Sequence, residues 1–593
     1  MDDLTLKYYE AEMRYLREAG REFAQAHPDR AALLNLDRVG DRDPFVERLF
    51  EGFAFLTGRL RQKLDDDLPE LTEGLMSLLW PHYLRMIPSL TVVELQPQMD
   101  ALQHGEAVPP GLVLRGTPVG PQQVRCLYRT TQPVPLLPLH LREAGAVLRN
   151  DGRSAIRLRF GLEAQGKREQ MDFSRIRLFL HADTPVASAL RLALTRQVHR
   201  IEVRAPGASD ELAVAALSAG MHIETAGFDS SERLWPKADN AFGGYQLLLE
   251  YFTFRDKFMF LDLCGLDIAR VPTAADWLEV DVVLDSRYPA DMPFDASNIR
   301  LHCTPAINLF ELEAEPIRVD HREPEYRVVP VLHESGQVET WSVDAVQSFE
   351  HGDSSRHEYT PFSHFRHRGG MLRHDAPERY YHSRVQRGAS GLHETWLVLG
   401  GRVWDSQGEL PAETLSLRVT GCNGLLPRKA LRESQILEMA VGYPCVTAVR
   451  NVTAPTLPVY PPLEDRFHWR VLSHLAPNYL SLLDADVLRG TLALYDWTDD
   501  EMNRRRLQGI QAVSHRPLSR MVGGCVLRGV EITVTLDSAF FAGDGDIDLF
   551  GELLQRFFAA YADMNLFTQL VLLCQPAGKR LSWAPTSSPA VSL

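Results

Sequence analysis

The spacing of apolar residues at the start of the chain predicts helices. Tyr9, Met13 and Leu16 recur at steps of four and three residues, which places them on one face of an α-helix. Comparable apolar stripes continue to about residue 88, where prolines interrupt the pattern. The pattern therefore predicts a helical N-terminal region over residues 1–88.

The second of these predicted helices is apolar on more than one side. It follows Asp43-Pro44, a pair that favours a helix start, and its main stripe contains Phe53. Phe45 and Phe50 widen that stripe. A helix that is apolar on several sides needs several neighbours. Either the helices of this region cover one another, or part of this surface meets a partner; the sequence leaves both interpretations open.

Beyond Pro88 the apolar period changes to two residues, which is typical of strands that bury one face. The alternation is clear in RLRFGLE at 157–163, WLEVDVVLD at 277–285 and TLSLRVT at 414–420. In contrast, GGYQLLLEYFTF at 243–254 indicates a helix. Prolines and glycines separate the predicted strands at short intervals, as they do in β-sandwiches.

The end of the chain mixes both patterns. Strands are predicted at 530–537 and 567–574, and between them lies a broad apolar helix that contains Phe557 and Phe558. The predicted fold class is therefore α+β and multidomain. Its predicted parts are a helical region at 1–88, sandwich-like, mainly β domains at 89–275 and 276–460, and a mixed α/β domain at 461–593.

Length and charge narrow the class of protein. The chain has 593 residues, which at roughly 150 residues per domain suggests about three or four domains. Its 63 basic and 78 acidic residues give a formal charge of −15, which disfavours nucleic-acid binding. No apolar run reaches the roughly 20 residues that span a bilayer, so we expect no direct membrane insertion. Seven scattered cysteines without a CxxC pair suit reduced, buried thiols in a cytosolic protein.

Common catalytic motifs are missing from the sequence. It contains no GxxxxGK[ST] phosphate loop, no GxGxxG nucleotide fingerprint, no GxSxG nucleophile elbow and no HExxH zinc motif. Neighbouring carboxylates occur in charge runs beside predicted helices, where a solvated face explains them. We therefore predict no catalytic residue, no cofactor-binding residue and no metal ligand.

Three aspartates in GDGDIDLFGE test this prediction. Asp544, Asp546 and Asp548 have the spacing that opens an EF-hand calcium loop. Leu549 stands where that loop requires glycine, and Gln555 stands where it requires a bidentate glutamate. A polar turn in which Asp546 or Asp548 caps the following helix explains the pattern better than calcium does.

A histidine- and arginine-rich region at 351–393 allows three interpretations. His364 and His367 could share a metal ion if they lay on one helical turn. Pro361 and the Gly369-Gly370 pair instead favour a loop with turns. The region is then a solvated loop, a partner-binding loop or, least favoured, a metal site.

Several long segments together resemble a known family. They include YYEAEMRYLREAGREFAQAHP at 8–28, GGYQLLLEYFTFRDKFMFLDLCGL at 243–266, CTPAINLFELEAEPIRVDHREPEYRVVP at 303–330 and FGELLQRFFAAYADMNLFTQLVLL at 550–573. In this order they resemble the TssF family, also called VasA or ImpG, of the bacterial type VI secretion system. That family is similar to wedge proteins of contractile phage tail baseplates.

The resemblance implies a structural role and no enzymatic activity. It implies a baseplate wedge in which two copies of the chain assemble with one TssG and join TssK and TssE. It further implies that wedges surround the spike hub and nucleate the contractile sheath, in the cytoplasm at the inner-membrane-docked apparatus. The alternatives are a metal-dependent hydrolase that uses the 351–393 region and a ligand-binding β-sandwich protein.

Aromatic side chains are the candidates for contact with these partners. Large rings on broadly apolar helices supply the buried anchors that protein interfaces use. The candidate partner-binding residues are Phe45, Phe50, Phe53, Trp80, Phe557 and Phe558.

Overall fold

A computed structural model describes the chain in segments. The described residues are 9, 13, 16, 48–49, 51–57, 76, 81–102, 106–119, 123–162, 171–208, 210–236, 243–320, 323–331, 337–350, 356–362, 379–388, 393–400, 412–429, 435–462, 471, 484–522, 525–561 and 566–587. The chain divides into two compact units, residues 1–79 with 464–473 and residues 80–463 with 474–593.

The smaller unit is helical wherever its N-terminal part is described. Tyr9, Met13 and Leu16 are helical, and residues 51–57 form a continuous helical stretch. Met13 is buried, as the predicted apolar face requires. The helix prediction is confirmed for these residues and for residues 48–49 and Met76. The rest of the predicted helical region up to residue 79 lies outside the described residues.

The larger unit contains the remaining helices and the strands. Its described helices are α1 (Thr184–Arg196), α2 (Glu211–Ser218), α3 (Gly243–Thr253), α4 (Leu426–Lys429), α5 (Ala485–Ala493), α6 (Glu501–Gln508) and α7 (Asp544–Tyr561). The first strands are β1 (Leu90–Pro97), β2 (Glu106–Val108), β3 (Val113–Val119), β4 (Val124–Thr130), β5 (Val134–Leu136), β6 (Leu139–Leu148), β7 (Ser154–Leu162), β8 (Arg175–Leu180), β9 (Val198–Arg204) and β10 (His222–Thr225).

Further strands follow along the middle and the end of the chain. They are β11 (Phe260–Cys264), β12 (Trp277–Leu284), β13 (Ile299–Arg300), β14 (Cys303–Ile307), β15 (Phe310–Glu313), β16 (Ile317–Val319), β17 (Tyr326–Val328), β18 (Glu339–Glu350), β19 (Arg356–Pro361) and β20 (Tyr380–Arg387). The last are β21 (His393–Gly400), β22 (Glu413–Cys422), β23 (Ile436–Met439), β24 (Val446–Asn451), β25 (Ile510–Val522), β26 (Cys525–Asp537), β27 (Leu566–Gln575), β28 (Lys579–Ser582) and β29 (Thr586–Ser587).

A six-stranded sheet joins distant parts of the chain. Its order is β23-β3-β4-β14-β1-β24, and β1 pairs antiparallel with both β14 and β24. All five residues of β14 are buried, because other strands flank it and both of its faces are covered. This sheet therefore combines residues from both of the mainly β domains that the sequence predicted.

Two four-stranded sheets lie between β6 and β13. One has the order β6-β7-β12-β9 and the other the order β10-β11-β8-β13. Because β12 pairs with both β7 and β9, the predicted boundary between residues 275 and 276 separates hydrogen-bonded neighbours. The boundary is wrong at this point, because alternation along a strand shows which face is buried but not which strand lies beside it.

An eight-stranded sheet follows, with the order β15-β22-β18-β19-β20-β21-β17 and β16 added on β22. Apolar residues that alternate along its strands meet in one core, where Val346, Leu397 and Leu415 are fully buried. The strands predicted from RLRFGLE, WLEVDVVLD and TLSLRVT are β7, β12 and β22, so these predictions are confirmed.

The C-terminal sheet contains a β-α-β unit. Strands β26 and β27 are parallel neighbours, and α7 connects them. Parallel neighbours need such a crossover, and its apolar face then packs on the sheet. The predicted strand, helix and strand at the end of the chain are confirmed. The described fold mixes both element types, with more strand than helix.

Candidate interaction surfaces

The helical residues 48–49 and 51–57 have one face that is apolar and exposed. Leu49, Phe53 and Leu56 are 70%, 56% and 64% exposed, whereas Ala54 on the same helix is buried. The steps of four and three residues place the three side chains on one side of the helix. We call Leu49, Phe53 and Leu56 the docking face. Exposed apolar patches are a feature of interaction sites, so these three side chains are candidates for contact with a partner.

The other predicted partner-binding residues have different positions. Phe45, Phe50 and Trp80 lie outside the described residues. Phe557 and Phe558 are fully buried in the larger unit, so they offer no surface to a partner. We correct that part of the prediction, because the breadth of their apolar stripe is explained by neighbours within the chain.

Helix α7 owes this burial to contacts on several sides. It packs against α1, α3 and β27. The ring of Phe557 lies 6.0 Å from that of Tyr245 in α3 and 5.7 Å from that of Phe558. The sequence argument that a broad apolar stripe needs several neighbours is sound, but here the neighbours are intramolecular.

A long β-hairpin presents a second exposed surface that the sequence did not predict. Strands β25 and β26 pair antiparallel along their length, and β25 is an edge strand of its sheet. Met521 and Val526 face each other near its end and are 71% and 63% exposed. The alternation in β25 is weak, because polar residues and Pro517 interrupt it. The sequence of β25 therefore gave little indication of a strand.

Buried ion pairs connect helices within the larger unit. The Arg191 side chain in α1 is fully buried and donates to Asp548 at 3.0 Å, to Glu552, and to the Phe258 carbonyl at 3.2 Å. A buried charge is tolerated only when it is paired and hydrogen-bonded in this way. The pairs fix α1 against α7.

A second buried cluster centres on Asp546 of α7. Arg506 of α6 donates to both of its carboxylate oxygens, at 3.0 and 3.1 Å, and Arg255 donates at 2.5 Å. Burial by itself would raise the pKa of Asp546, but the two arginines outweigh it and hold the pKa below its usual value. The carboxylate is therefore ionised in the folded chain.

The same contacts decide between calcium and structural roles for the three aspartates. Asp544 accepts from Lys579 at 2.7 Å, while Asp546 and Asp548 accept from arginines. Asp546 also accepts from the Ala542 backbone N–H at 3.0 Å, just before the helix begins. Each carboxylate thus has a cationic partner within the chain. Because α7 already begins at Asp544, Asp546 and Asp548 lie inside the helix and pair with arginines, so the predicted N-cap role is wrong for both residues.

Parts of the histidine- and arginine-rich region belong to strands. His357, His382 and His393 lie on β19, β20 and β21 of the eight-stranded sheet. The expectation of a loop is therefore wrong at both ends of this region, where strand pairing continues. His364 and His367 lie outside the described residues, so the interpretations of the central part stay predictions.

The described cysteines agree with the prediction of reduced, buried thiols. Cys126, Cys264, Cys303, Cys422, Cys445 and Cys574 are buried and unpaired. Among the described helices, none is long and apolar enough to cross a membrane.

Sequence comparison relates the whole chain to one family. The family model described as Type VI secretion system, TssF matches residues 1–589. The type VI secretion system component TssF1 of Pseudomonas aeruginosa (strain PAO1) is 32% identical over 635 aligned residues, which cover 99% of this chain and 100% of that protein.

Solved structures are similar over the same length. A chain in the cryo-electron microscopy structure of the TssK-TssF-TssG baseplate subcomplex is 50% identical, with a TM-score of 0.81, covering 92% of this chain and 100% of that chain. A chain in a structure of the baseplate complex from the type VI secretion system is 48% identical, with a TM-score of 0.66, covering 99% and 100%.

The fold, its exposed apolar surfaces and these matches define a class, that of structural subunits of a secretion baseplate, not of enzymes. The chain belongs to the TssF family of the type VI secretion system. It is therefore a component of the baseplate of that system.

Proposed function

We propose that the chain is a wedge subunit of the baseplate and assembles directly with TssG and TssK. The related chain of known structure was determined in a complex with those two proteins, and it is 50% identical to this one. Half of the aligned positions, which cover 92% of this chain, are thus shared with a protein that forms such a complex. In this proposal two copies of the chain join one TssG.

The observation that carries the proposal is the docking face. Burial of an apolar side chain that water otherwise surrounds contributes roughly 1.5–3 kcal/mol. Leu49, Phe53 and Leu56 are each more than half exposed in the single chain. Covering them with helices of a partner or of the second copy removes this unfavourable surface, which favours assembly.

The remaining partners extend the same proposal. TssE joins the wedge, several wedges surround the spike hub, and the finished ring nucleates the contractile sheath. The exposed end of the β25–β26 hairpin offers a further apolar contact for such neighbours. We place this assembly in the cytoplasm, at the apparatus that is docked on the inner membrane.

The proposal is tested by co-expressing the full chain with its cognate TssG and TssK. We expect Phe53→Asp to abolish recovery of the complex, because a carboxylate cannot be buried in an apolar interface without a partner charge. Phe50→Asp is predicted to do the same. Leu212→Asp is the matched control, since Leu212 is an apolar residue on α2 that is 82% exposed.

Two measurements keep the outcomes distinct. The variants alone are compared with the unsubstituted chain by circular dichroism, which reports whether they fold. Recovery of Leu212→Asp with TssG and TssK at the normal yield shows that an exposed charge by itself does no harm. Normal recovery of Phe53→Asp would overturn the docking role of this face.

A further inference from the structure

Three side chains with metal-binding atoms meet on the edge of one sheet. His222 and Glu224 lie on β10, and Cys264 lies opposite His222 on β11. A His nitrogen, a Glu oxygen and the Cys sulfur lie within 4.8 Å of one another. Alternate residues of a strand share a face, so pairing of β10 with β11 brings all three to the same side.

The hydrogen bonds of His222 fix its tautomer. Its Nδ1 lies 2.9 Å from the Gly220 carbonyl, which can only accept, so Nδ1 carries the proton. In the neutral ring Nε2 then presents a lone pair, and it lies 3.2 Å from Oε1 of Glu224. Two acceptors face each other at this distance, so a cation or a second proton must lie between them. Metal-binding histidines are commonly oriented by such a carbonyl.

The backbone holds this arrangement in advance. Gly220 and Gly265 both have positive φ, at +83° and +91°. A Cβ atom at Gly265 would lie 2.3 Å from the Gly220 oxygen, so only glycine allows that carbonyl its position. The carbonyl that orients His222 is therefore fixed by the turn, and not by a flexible side chain.

We propose that His222, Glu224 and Cys264 form a binding site for Zn²⁺. Nitrogen, oxygen and thiolate are the ligands that zinc prefers, and tetrahedral zinc places its donors about 3.3–3.7 Å apart. The three donor atoms lie within 4.8 Å of one another, and small rotations of the exposed His222 and Glu224 side chains bring them to the spacing that zinc requires. Binding forms a bond between zinc and sulfur and releases the thiol proton of Cys264 to solvent. A water completes the fourth position, because His222 and Glu224 are about half exposed.

The charges around the site are compatible with a divalent cation. Zinc, the Cys264 thiolate and the Glu224 carboxylate together sum to zero. Arg175 lies 3.5 Å from Oε2 of Glu224, which leaves Oε1 for the metal, and its guanidinium also contacts the Cys264 thiol. Asp262 lies 3.6 Å from the same guanidinium and also accepts from Arg177 at 2.8 and 2.9 Å. The other occupant that the geometry allows is a proton, which would make His222 and Glu224 a simple ion pair.

Cobalt titration of the metal-free full chain, without an affinity tag, distinguishes these occupants. Cobalt(II) replaces zinc in such sites, and coordination by a thiolate gives a charge-transfer absorption in the near ultraviolet. We expect one cobalt per chain, this absorption, and its loss when zinc is added. Cys264→Ser is expected to remove the absorption, and His222→Gln to weaken cobalt binding at least tenfold.

Control variants separate this site from other thiols and histidines. Cys574→Ser removes a buried cysteine on β27, and His199→Gln removes a histidine that pairs with Asp285 at 3.1 Å. Both controls are expected to bind cobalt normally. His222 is exposed, so His222→Gln reports on the site even if Cys264→Ser fails to fold. Absence of the absorption, or equal cobalt affinity of His222→Gln, would overturn the proposal and leave an ion pair.

Discussion

Single residues in this chain have roles that depend on burial more than on type. Asp544, Asp546 and Asp548 follow one another at alternate positions, yet only Asp544 is exposed. Asp544 pairs with Lys579 at the surface, whereas Asp546 is held by two arginines in the interior. The same side chain thus forms a weak contact in one place and a structural one in the other.

Replacement of the buried aspartate should destabilise the fold. We expect Asp546→Asn to lower the free energy of unfolding by about 3–5 kcal/mol, because it leaves the buried Arg506 and the partly buried Arg255 without their anion. Asp544→Asn is the matched control and should cost less than about 1 kcal/mol, as exposed pairs do. The midpoints of urea unfolding of the full chain measure both. Equal midpoints for the two variants would contradict this account.

A buried histidine predicts a dependence of stability on pH. Burial lowers the pKa of His302 to about 4, and its Nε2 accepts from the Leu137 N–H at 3.3 Å. The unfolded chain binds a proton there near pH 6.5 and the folded chain does not, so stability falls as pH drops from about 6.5 to 4. The expected loss over this range is about 3 kcal/mol.

The variant His302→Asn should remove that part of the pH dependence. Asparagine suits this position because His302 has a φ of +54°, a region that asparagine tolerates. Unfolding midpoints between pH 7 and pH 4 provide the measurement. His515→Asn, at an exposed position on β25, is the control and should keep the slope of the unsubstituted chain. An unchanged slope in His302→Asn would assign the dependence to other groups.

At the scale of elements, helix α7 organises the C-terminal part. It forms the crossover between β26 and β27 and also contacts α1 and α3. Phe557→Ala should lower the free energy of unfolding by about 3–5 kcal/mol, because the buried ring leaves a cavity. Arg556→Ala, on the exposed side of the same helix, should cost under about 1 kcal/mol. Chemical denaturation of the full chain checks this, and similar losses for both variants would contradict it.

Sequence periodicity predicted the elements in which apolar residues recur at regular steps. Strands β7, β12 and β22 and helix α7 alternate apolar and polar residues with the period of their structure. The sequence did not predict edge strand β25, because a strand with exposed faces does not need alternating apolar residues. The proposed zinc ligands could not be predicted from the sequence either. His222 and Cys264 are distant in sequence and meet only through the pairing of β10 with β11. Local patterns do not encode such pairings.

At the scale of the whole molecule, segments that are far apart in the sequence contact one another in the fold. Strand β1 pairs with β14 and β24, and Arg191 pairs with carboxylates on α7. Local patterns along the sequence do not show such long-range pairings, which is why the predicted boundary after residue 275 separates the paired strands β7 and β12. Exposed apolar side chains also occur outside the docking face, at Leu212, Met521 and Val526, which are 82%, 71% and 63% exposed.

Native mass spectrometry of the full chain co-expressed with cognate TssG tests the central claim most directly. The proposal is that this chain is an assembly subunit, with two copies for each TssG. It predicts one dominant complex of that composition, which Phe53→Asp disrupts and Leu212→Asp preserves. A chain that is purified as a monomer, with TssG left behind in the unsubstituted sample, would contradict it.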